Sequence, residues 1–321
     1  MLSPRTYRRI TLVALLSLAF IIVTGGAVRL TGSGLGCPEW PNCDNGRLVA
    51  PLQYHALVEF VNRTVTGLVS LAVIVAVLGS LVRRPRRRDL VWLSMGLVGG
   101  VLGQIVLGGL TVLFELRPPF VMAHFLLSML ILANAVVLHW RAGGAPASSY
   151  RLLADPAPLP EPESADHDLR RFGTMIVATA ALVIFLGTVV TAAGPHGGDE
   201  DAVRLDVPLH RAAQLHGVGA MLLLGMVVAM VVLLSRTSSP EHVRRRAQLL
   251  LAVVLAQAGI GYLQYFTGVP VVLVGAHIAG ATLLWATVVR FKLGLGDAVV
   301  SEHEAAETRS EGVSVAVNAA R

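Results

Sequence analysis

The feature that most constrains this chain is a series of apolar stretches, each long enough to cross a membrane as a helix. About 20 apolar residues span the hydrocarbon layer of a bilayer, and a segment surrounded by lipid must satisfy its own backbone hydrogen bonds. Only 14% of the residues are charged, against roughly 25% in soluble domains. We therefore predict an all-α polytopic membrane protein with eight transmembrane helices. The stretches lie near residues 10–28, 55–82, 90–113, 119–140, 172–193, 210–235, 247–267 and 269–290.

The basic residues predict how the chain is oriented. Lys and Arg are enriched in the cytoplasmic loops of membrane proteins, and most of them here lie on alternate connections and in the C-terminal tail. Both termini are therefore predicted to be cytoplasmic, in a multi-pass protein of the cell membrane. The net charge of +6 then reflects topology, so no nucleic acid partner is expected. The basic residues on the outer side are Arg29, Arg47, Arg63, Arg117, Arg204 and Arg211.

Arg5, Arg8 and Arg9 precede the first stretch, as basic residues precede a signal peptide. No convincing cleavage pattern follows that stretch, so we expect it to be a retained helix.

Two parts of the chain repeat one another. Gln104 and His124 match Gln257 and His277 at one shared separation of 153 residues. Because an even number of stretches separates each residue from its match, the two parts run in the same direction. We predict two tandem four-helix bundles joined by a proline-rich cytoplasmic linker and followed by a polar tail that is expected to be disordered. The predicted parts are the N-terminal half at 1–141, the linker at 142–171, the C-terminal half at 172–292 and the tail at 293–321.

Three histidines fall in one layer in the outer half of the membrane: His124, His216 and His277. Helical bundles hold cofactors with inward-facing side chains, and imidazoles are common axial ligands of heme iron. A lone buried histidine more often only hydrogen-bonds to a neighbouring helix. The repeat favours heme ligation for the His216 and His277 pair.

Polar residues also line the second stretch, where Glu59, Asn62 and Arg63 share one helix face. The repeat maps His216 to position 62 or 63, where no histidine occurs. A heme in this half would have His124 on one side and an open or weakly occupied position on the other, which is what oxygen chemistry requires. The alternative is an ion pair of Glu59 with Arg63 that simply neutralises both charges.

The first outer loop holds both cysteines of the chain, Cys37 and Cys43. Disulfides persist outside the cytoplasm, and a bridge here would close a small loop. That bridge would either staple the loop over the helix ends or exchange with other thiols during turnover. Two cysteines without a nearby histidine pair do not favour a zinc site.

Other polar residues stand on the outer side. His196 and Asp199, in the second outer loop, are expected to form hydrogen bonds within that loop, although His196 is also placed to contact a heme propionate. Some of the outer arginines are candidate propionate partners or, equally, interfacial anchors: Arg29, Arg63, Arg117 and Arg211.

Across residues 10–292 the sequence resembles the heme A synthase family. The resemblance rests on two loop motifs and on the placement of His124, His216 and His277. The first motif is the more specific, and single histidines are not specific. The motifs are Gly25-Gly26-Ala27-Val28-Arg29-Leu30-Thr31-Gly32-Ser33-Gly34-Leu35-Gly36-Cys37-Pro38-Glu39-Trp40-Pro41 and Gly194-Pro195-His196-Gly197-Gly198-Asp199.

The resemblance implies two four-helix halves with different tasks. It implies that His216 and His277 hold a heme b for electron transfer, and that heme O, the substrate, binds near Glu59 and His124. The family's usual Glu-x-x-His-Arg pattern is altered here, because Asn62 stands in the place of the histidine. We therefore hypothesise that His124 is the sole strong axial ligand and that Asn62 orients oxygen, water or a formyl precursor.

The implied function is oxidation of a ring methyl group of heme O to a formyl group, which gives heme A for terminal oxidase assembly. Glu59 would serve as an acid, a base or a stabiliser of positive charge. The implied partners are membrane lipid, a heme O synthase and an electron donor such as quinol. A diheme protein that oxidises quinol would use the same histidines, and a transporter with a duplicated bundle is a third class.

Overall fold

The computed structural model describes residues 2–144, 164–237 and 239–319, with side chains described for 2–144, 167–237 and 239–295. Eight helices in these ranges are long and apolar enough to cross a membrane, and the only β pairings described are isolated bridges. The predicted all-α membrane fold is thereby confirmed. The helices are α1 Pro4–Leu30, α2 Tyr54–Val82, α3 Arg88–Leu113, α4 Pro118–Gly143, α5 Ser164–Ala193, α6 Leu209–Arg236, α7 Glu241–Phe266 and α8 Val271–Ala319.

Helix boundaries follow local sequence signals. Ser3 caps α1, because its side chain accepts a hydrogen bond from the backbone N–H of Thr6, and Pro4 follows at the first helical position. Two connections end in a pair of residues with left-handed backbone: Glu115 and Leu116 after α3, and Gly268 and Val269 after α7. These pairs are related by the same sequence separation as the two halves, so the repeat extends to backbone conformation.

The helix contacts form two closed rings. In the first ring α1 packs against α2, α2 against α3, α3 against α4, and α4 against α1; α5 to α8 repeat this order. Between the rings, α4 packs against α8, α1 against α8, and α4 against α5. Exchange of the two halves maps the α1–α8 contact onto the α4–α5 contact. The contacts therefore agree with two tandem bundles related by an approximate two-fold axis at the α4–α8 interface.

The two halves share a buried core. One apolar cluster joins Ile22, Met129 and Leu132 of the first half to side chains from α5 to α8. Within this interface the indole N–H of Trp285 donates to the backbone oxygen of Met129 over 2.8 Å. The halves therefore form one packed body, and the positions of the candidate site residues in each half are fixed relative to the other.

Two further predictions concern the linker and the C-terminal tail. Most of the linker at 142–171 falls outside the described residues, apart from the helix ends at Gly143 and Ser164. The tail was expected to be disordered from residue 293, whereas α8 continues as a helix to Ala319. The tail lacks proline and is rich in Ala and Glu, which favour helix even in a polar segment. The boundaries of the two halves remain a prediction.

Candidate functional site

The loop between α1 and α2 is closed by a disulfide between Cys37 and Cys43. This loop, residues 31–53, defines what we call the disulfide end of the bundle. Both cysteines are buried in a small cluster with Ala50 and Ala56. A Cβ at Gly36 would collide with the backbone of His55, so only glycine allows the loop to lie this close to the start of α2. The predicted bridge is confirmed.

Glu59 lies beneath this loop and is only 6% exposed. One carboxylate oxygen, Oε2, accepts a hydrogen bond from the backbone N–H of Cys37 over 2.8 Å. The other, Oε1, accepts two from Arg63, from Nη2 at 2.6 Å and from Nε at 3.1 Å. The ion pair considered from the sequence is therefore present, and it also holds the disulfide loop against α2.

Arg63 forms hydrogen bonds with this loop. Besides the two bonds to Glu59, its guanidinium donates to the backbone oxygens of Cys37, Glu39 and Asn42 over 2.9, 3.2 and 2.9 Å. An arginine has five N–H donors, and these contacts use all of them. Arg63 cannot bind a heme propionate without giving up a loop contact.

Arg29 is likewise engaged, at the junction of the two halves. Its Nε donates to the backbone oxygen of His196 over 2.7 Å, and its Nη2 donates to that of Thr191 over 2.8 Å. Thr191 lies in the last turn of α5, where a cation also complements the helix dipole. Arg29 thus joins α1 to the second outer loop. Its Nη1 takes part in neither of these bonds, so Arg29 stays a candidate propionate partner together with Arg117 and Arg211.

His124 projects from α4 towards α3. Gln104 of α3 donates from Nε2 to the backbone oxygen of His124 over 3.1 Å and to Ser128 Oγ over 2.6 Å. The ring lies against Gly108, where a Cβ would stand 3.4 Å from the His124 Cε1 atom. Nδ1 of His124 is buried and has no hydrogen-bond partner among the described residues. Nδ1 lies on the side of the ring that faces Gly108, so Nε2 is the nitrogen left to bind a metal.

His277 repeats this arrangement in the second half. Gln257 donates from Nε2 to the backbone oxygen of His277 over 2.9 Å, and a Cβ at Gly261 would stand 3.1 Å from the His277 Cε1 atom. Nδ1 of His277 is also buried, and the described part of the chain offers it no partner. The glutamine, glycine and histidine therefore form one unit that occurs once in each half.

His216 faces His277 across the second half. Its Nδ1 lies 3.0 Å from the backbone oxygen of Val183, so Nδ1 carries the proton and Nε2 is left to bind a metal. The two ring centroids are 6.2 Å apart. A nitrogen to metal bond of about 2 Å gives roughly this separation for two axial imidazoles on one iron. The pair therefore fits a bis-histidine heme.

The first half lacks the matching pair. Asn62 is one of the two residues to which the repeat maps His216, and its Oδ1 is buried with no partner in the described structure. In the second half, Gly187 packs against His216, with a Cβ position 3.1 Å from Cε1. Its sequence match in α1, Gly25, faces open space, because a Cβ there would meet no heavy atom within 4 Å. The described residues also contain no cluster of three or more His, Cys, Asp or Glu side chains able to hold a metal ion.

Several functional contacts could not be predicted from the sequence. The repeat predicts that Gln104 and Gln257 are equivalent residues. It does not predict that each donates a hydrogen bond to the backbone oxygen of a histidine, His124 or His277.

His196 and Asp199 are expected to form hydrogen bonds within the second outer loop. Asp199 does so, because its Oδ1 accepts from the backbone N–H of Asp201 over 3.1 Å, whereas His196 Nε2 contacts the backbone oxygen of Val269 at 2.9 Å. No pattern of residue types indicates such backbone contacts between distant segments.

Comparison with known proteins agrees with this geometry. Residues 8–196 match the COX15-CtaA family, described as cytochrome oxidase assembly proteins. A protein of Caulobacter sp. strain K31 named heme A synthase is 27% identical, and the match covers 87% of this chain and 92% of the relative. Shorter matches are found to heme A synthases of Geobacillus thermodenitrificans, 32% identical over 44% of this chain and 45% of the relative, and of Listeria monocytogenes serotype 4b, 34% identical over 37% and 40%.

The eight apolar helices, the histidine units and these matches define a membrane heme-modifying oxidoreductase. The family model covers more than half of the sequence. The chain belongs to the heme A synthase family.

Proposed function

We propose that this protein oxidises a ring methyl group of heme O to a formyl group, giving heme A for the assembly of terminal oxidases. The observation that carries the proposal is the asymmetry between the halves. Both contain the glutamine, glycine and histidine unit, but only the second half has a facing histidine. A saturated pair of ligands suits electron transfer, whereas a single ligand leaves a position for reaction.

We assign the second half to a heme b between His216 and His277. Such a bis-histidine heme supplies reversible electron transfer when bound. The chain's own contribution is to fix the two rings. Val183 sets the tautomer of His216, and Gly187 and Gly261 let the two rings pack closely against α5 and α7.

We assign the first half to the heme O substrate, with His124 as its protein ligand. Asn62 faces the reacting side, where its amide can donate and accept hydrogen bonds to oxygen, water or a partly oxidised methyl group. Conversion of the methyl group to a formyl group is a four-electron oxidation. If water supplies the oxygen atom, four protons and four electrons leave to an acceptor such as a quinone. If dioxygen supplies it in two successive hydroxylations, each takes two electrons and two protons from a donor such as a quinol, and the resulting geminal diol loses water.

Glu59 is proposed to act through its charge. Because Arg63 and Cys37 hold both carboxylate oxygens, the group is fixed in place and can stabilise positive charge that develops on the substrate. Arg63 is a positioning residue, since it acts on the substrate only through Glu59 and the disulfide loop.

The proposed topology places the disulfide end outside the cytoplasm and both termini inside it, in the cell membrane. This follows from the distribution of Lys and Arg and from the persistence of disulfides outside the cytoplasm. A heme O synthase is the proposed supplier of substrate, and a quinol or quinone is the proposed redox partner.

Pigment analysis tests the reaction. The chain is expressed in a host that makes heme O but no heme A, and hemes extracted from the membranes are separated by chromatography. Heme A is expected with the native chain. It should be absent with Glu59→Ala, while the spectrum of the heme between His216 and His277 is retained.

The chain offers a matched control for this substitution. Glu241 and Arg245 form an ion pair of the same i, i+4 spacing and the same 2.6 Å distance at an exposed position on α7. Glu241→Ala should leave heme A production unchanged. If the native chain binds heme yet produces no heme A, the diheme electron-transfer alternative is favoured instead; a chain that binds no heme at all would favour a transporter.

A further inference from the structure

We propose that His196 is a positioning residue that holds the axial ligand His277 in place by clamping the start of α8. The inference rests on the proposed function, because it takes His277 to be a heme ligand. It concerns a contact that does not involve His124, His216 or His277 directly. The contact lies between the second outer loop and the turn that leads into α8.

The clamp is a single side-chain hydrogen bond between distant segments. The His196 Nε2 atom lies 2.9 Å from the backbone oxygen of Val269. A carbonyl oxygen only accepts hydrogen bonds, so Nε2 is the protonated nitrogen and the imidazole donates. Val269 is followed by Pro270 and then by α8, on which His277 lies within two turns of the helix start. A shift of this turn is therefore transmitted to His277 by a rigid helix.

The clamped residue has a backbone conformation that needs support. Val269 has φ 60°, a region that β-branched residues rarely adopt, and such conformations persist only when the surroundings hold them. The backbone N–H of Val269 donates to Gln264 over 2.7 Å, and His196 binds the carbonyl on the other side. The imidazole thus fixes the carbonyl of a residue that would otherwise relax.

The other half has the same turn without the clamp. Leu116 is the repeat match of Val269, has φ 58° and makes the matching backbone bond, to Thr111 over 2.9 Å. Among the described side chains, none donates to the backbone oxygen of Leu116. The clamp therefore accompanies the half with two facing histidines, where both axial rings must stay in position.

The clamp is itself anchored to the other half. Arg29 donates to the backbone oxygen of His196 over 2.7 Å, and the backbone N–H of Gly34 donates to the oxygen of Gly198 over 2.8 Å. Gly198 is buried, with φ 104°, and a Cβ there would press on Leu116. The second outer loop is thus held by α1 and by the disulfide loop. Through His196, these contacts fix the position of His277 relative to the first half.

The test measures how firmly the heme of the second half is held. All variants are made in the full-length chain with His124→Ala, so that only this heme is retained. Carbon monoxide binds ferrous heme only when an axial position is free, so the carbon monoxide difference spectrum reports detachment of either histidine, and comparison with His277→Ala and His216→Ala shows which one. The rate of heme transfer to apomyoglobin gives a second readout that does not depend on catalytic activity.

We expect His196→Ala to increase the carbon monoxide-reactive fraction and to accelerate heme loss by about tenfold, the usual lower range for loss of a residue that orients a metal ligand. His196→Gln, which keeps an N–H donor at similar reach, should restore the parent behaviour. His242→Ala, at an exposed position on α7, is the matched control and should change neither readout. His196→Phe fills the same volume without a donor and should behave as His196→Ala does.

His277→Ala distinguishes failure of the clamp from failure of the proposed heme site. If His277→Ala raises carbon monoxide binding but His196→Ala and His196→Phe match the parent in both readouts, the clamp is refuted and the proposed heme site stands. If His277→Ala itself leaves the heme unchanged, His277 is not a ligand and the proposed function fails with it.

Discussion

At the scale of single residues, Arg63 connects the ion pair to the loop above it. Its five donors hold Glu59 and three backbone oxygens of the disulfide loop. Glu59 is buried, and removal of one partner of a buried pair leaves a charge without compensation. The pair therefore has a structural role in addition to its proposed catalytic one, and the two roles separate in stability measurements.

Arg63→Met is expected to lower the stability of the folded protein by about 3 kcal/mol, because the Glu59 carboxylate loses its counter-charge and three backbone oxygens lose their donors. Glu59→Gln should cost less, and the double variant should cost less than the sum of the two. Thermal unfolding in detergent, monitored by circular dichroism, measures all three. Additive effects would mean that the two side chains do not stabilise one another.

Asn62 is the proposed counterpart of His216, which suggests an exchange of residues between the halves. Asn62→His is expected to convert the heme of the first half to a low-spin bis-histidine form and to abolish heme A formation, because the reacting position is filled. His216→Asn should have the opposite spectral effect on the second heme, which becomes reactive with carbon monoxide. Electron paramagnetic resonance of the oxidised protein measures the spin state of each heme, and the carbon monoxide difference spectrum of the reduced protein measures the free position. If Asn62→His leaves the spin state of the first heme unchanged, Asn62 does not face the iron.

At the scale of helices, glycines set how closely the rings approach their neighbours. A Cβ at Gly187 of α5 would stand 3.1 Å from the His216 ring, tighter than normal van der Waals contact allows. Gly217 lies next to His216 on α6, and a Cβ there would meet nothing within 4 Å. Replacing either glycine with alanine adds the same methyl group, but only the methyl group at Gly187 would contact the His216 ring.

Gly187→Ala is therefore expected to displace His216 and reduce heme content, even though alanine in a helix is favoured over glycine by about 1 kcal/mol. Gly217→Ala should keep full heme content and show only the gain in helix stability. The ratio of Soret absorbance to protein absorbance in the purified variants measures heme content. Equal heme content in both variants would show that close packing at Gly187 does not position the ligand.

The disulfide closes the loop that precedes α2. Loss of the bridge in a Cys37→Ser and Cys43→Ser double variant is expected to lower stability by about 2 kcal/mol, because a short closed loop becomes free in the unfolded chain. Unfolding of the native chain with and without reductant measures the same effect. If heme A formation also requires the oxidised pair under conditions where the double variant is folded, the bridge has a redox role as well as a structural one.

At the scale of the whole molecule, the sequence predicts the architecture but not the contacts between its parts. Eight apolar stretches and the Gln104 to Gln257 match were sufficient for the helices and the tandem halves, because lipid permits few folds. The histidine layer followed from helix geometry. The contacts of Arg63, Arg29 and His196 are made to backbone oxygens of distant segments, and any residue type offers such an oxygen, so no sequence pattern indicates them.

The same limit applies to the interface between the halves. The contact from Trp285 to the backbone of Met129 depends on how α4 and α8 pack, which the hydrophobic pattern of each helix does not determine. The tail differs for another reason: its polar composition predicts disorder, while its Ala and Glu content also favours the helix that extends α8 to Ala319.

The two halves are proposed to hold their hemes differently. The most direct test is electron paramagnetic resonance of the purified full-length protein with heme O bound under anaerobic conditions, before turnover. We predict one low-spin bis-histidine signal that disappears in His216→Ala, and a second heme that binds carbon monoxide when reduced and disappears in His124→Ala. Two low-spin bis-histidine hemes in the native chain would contradict the account.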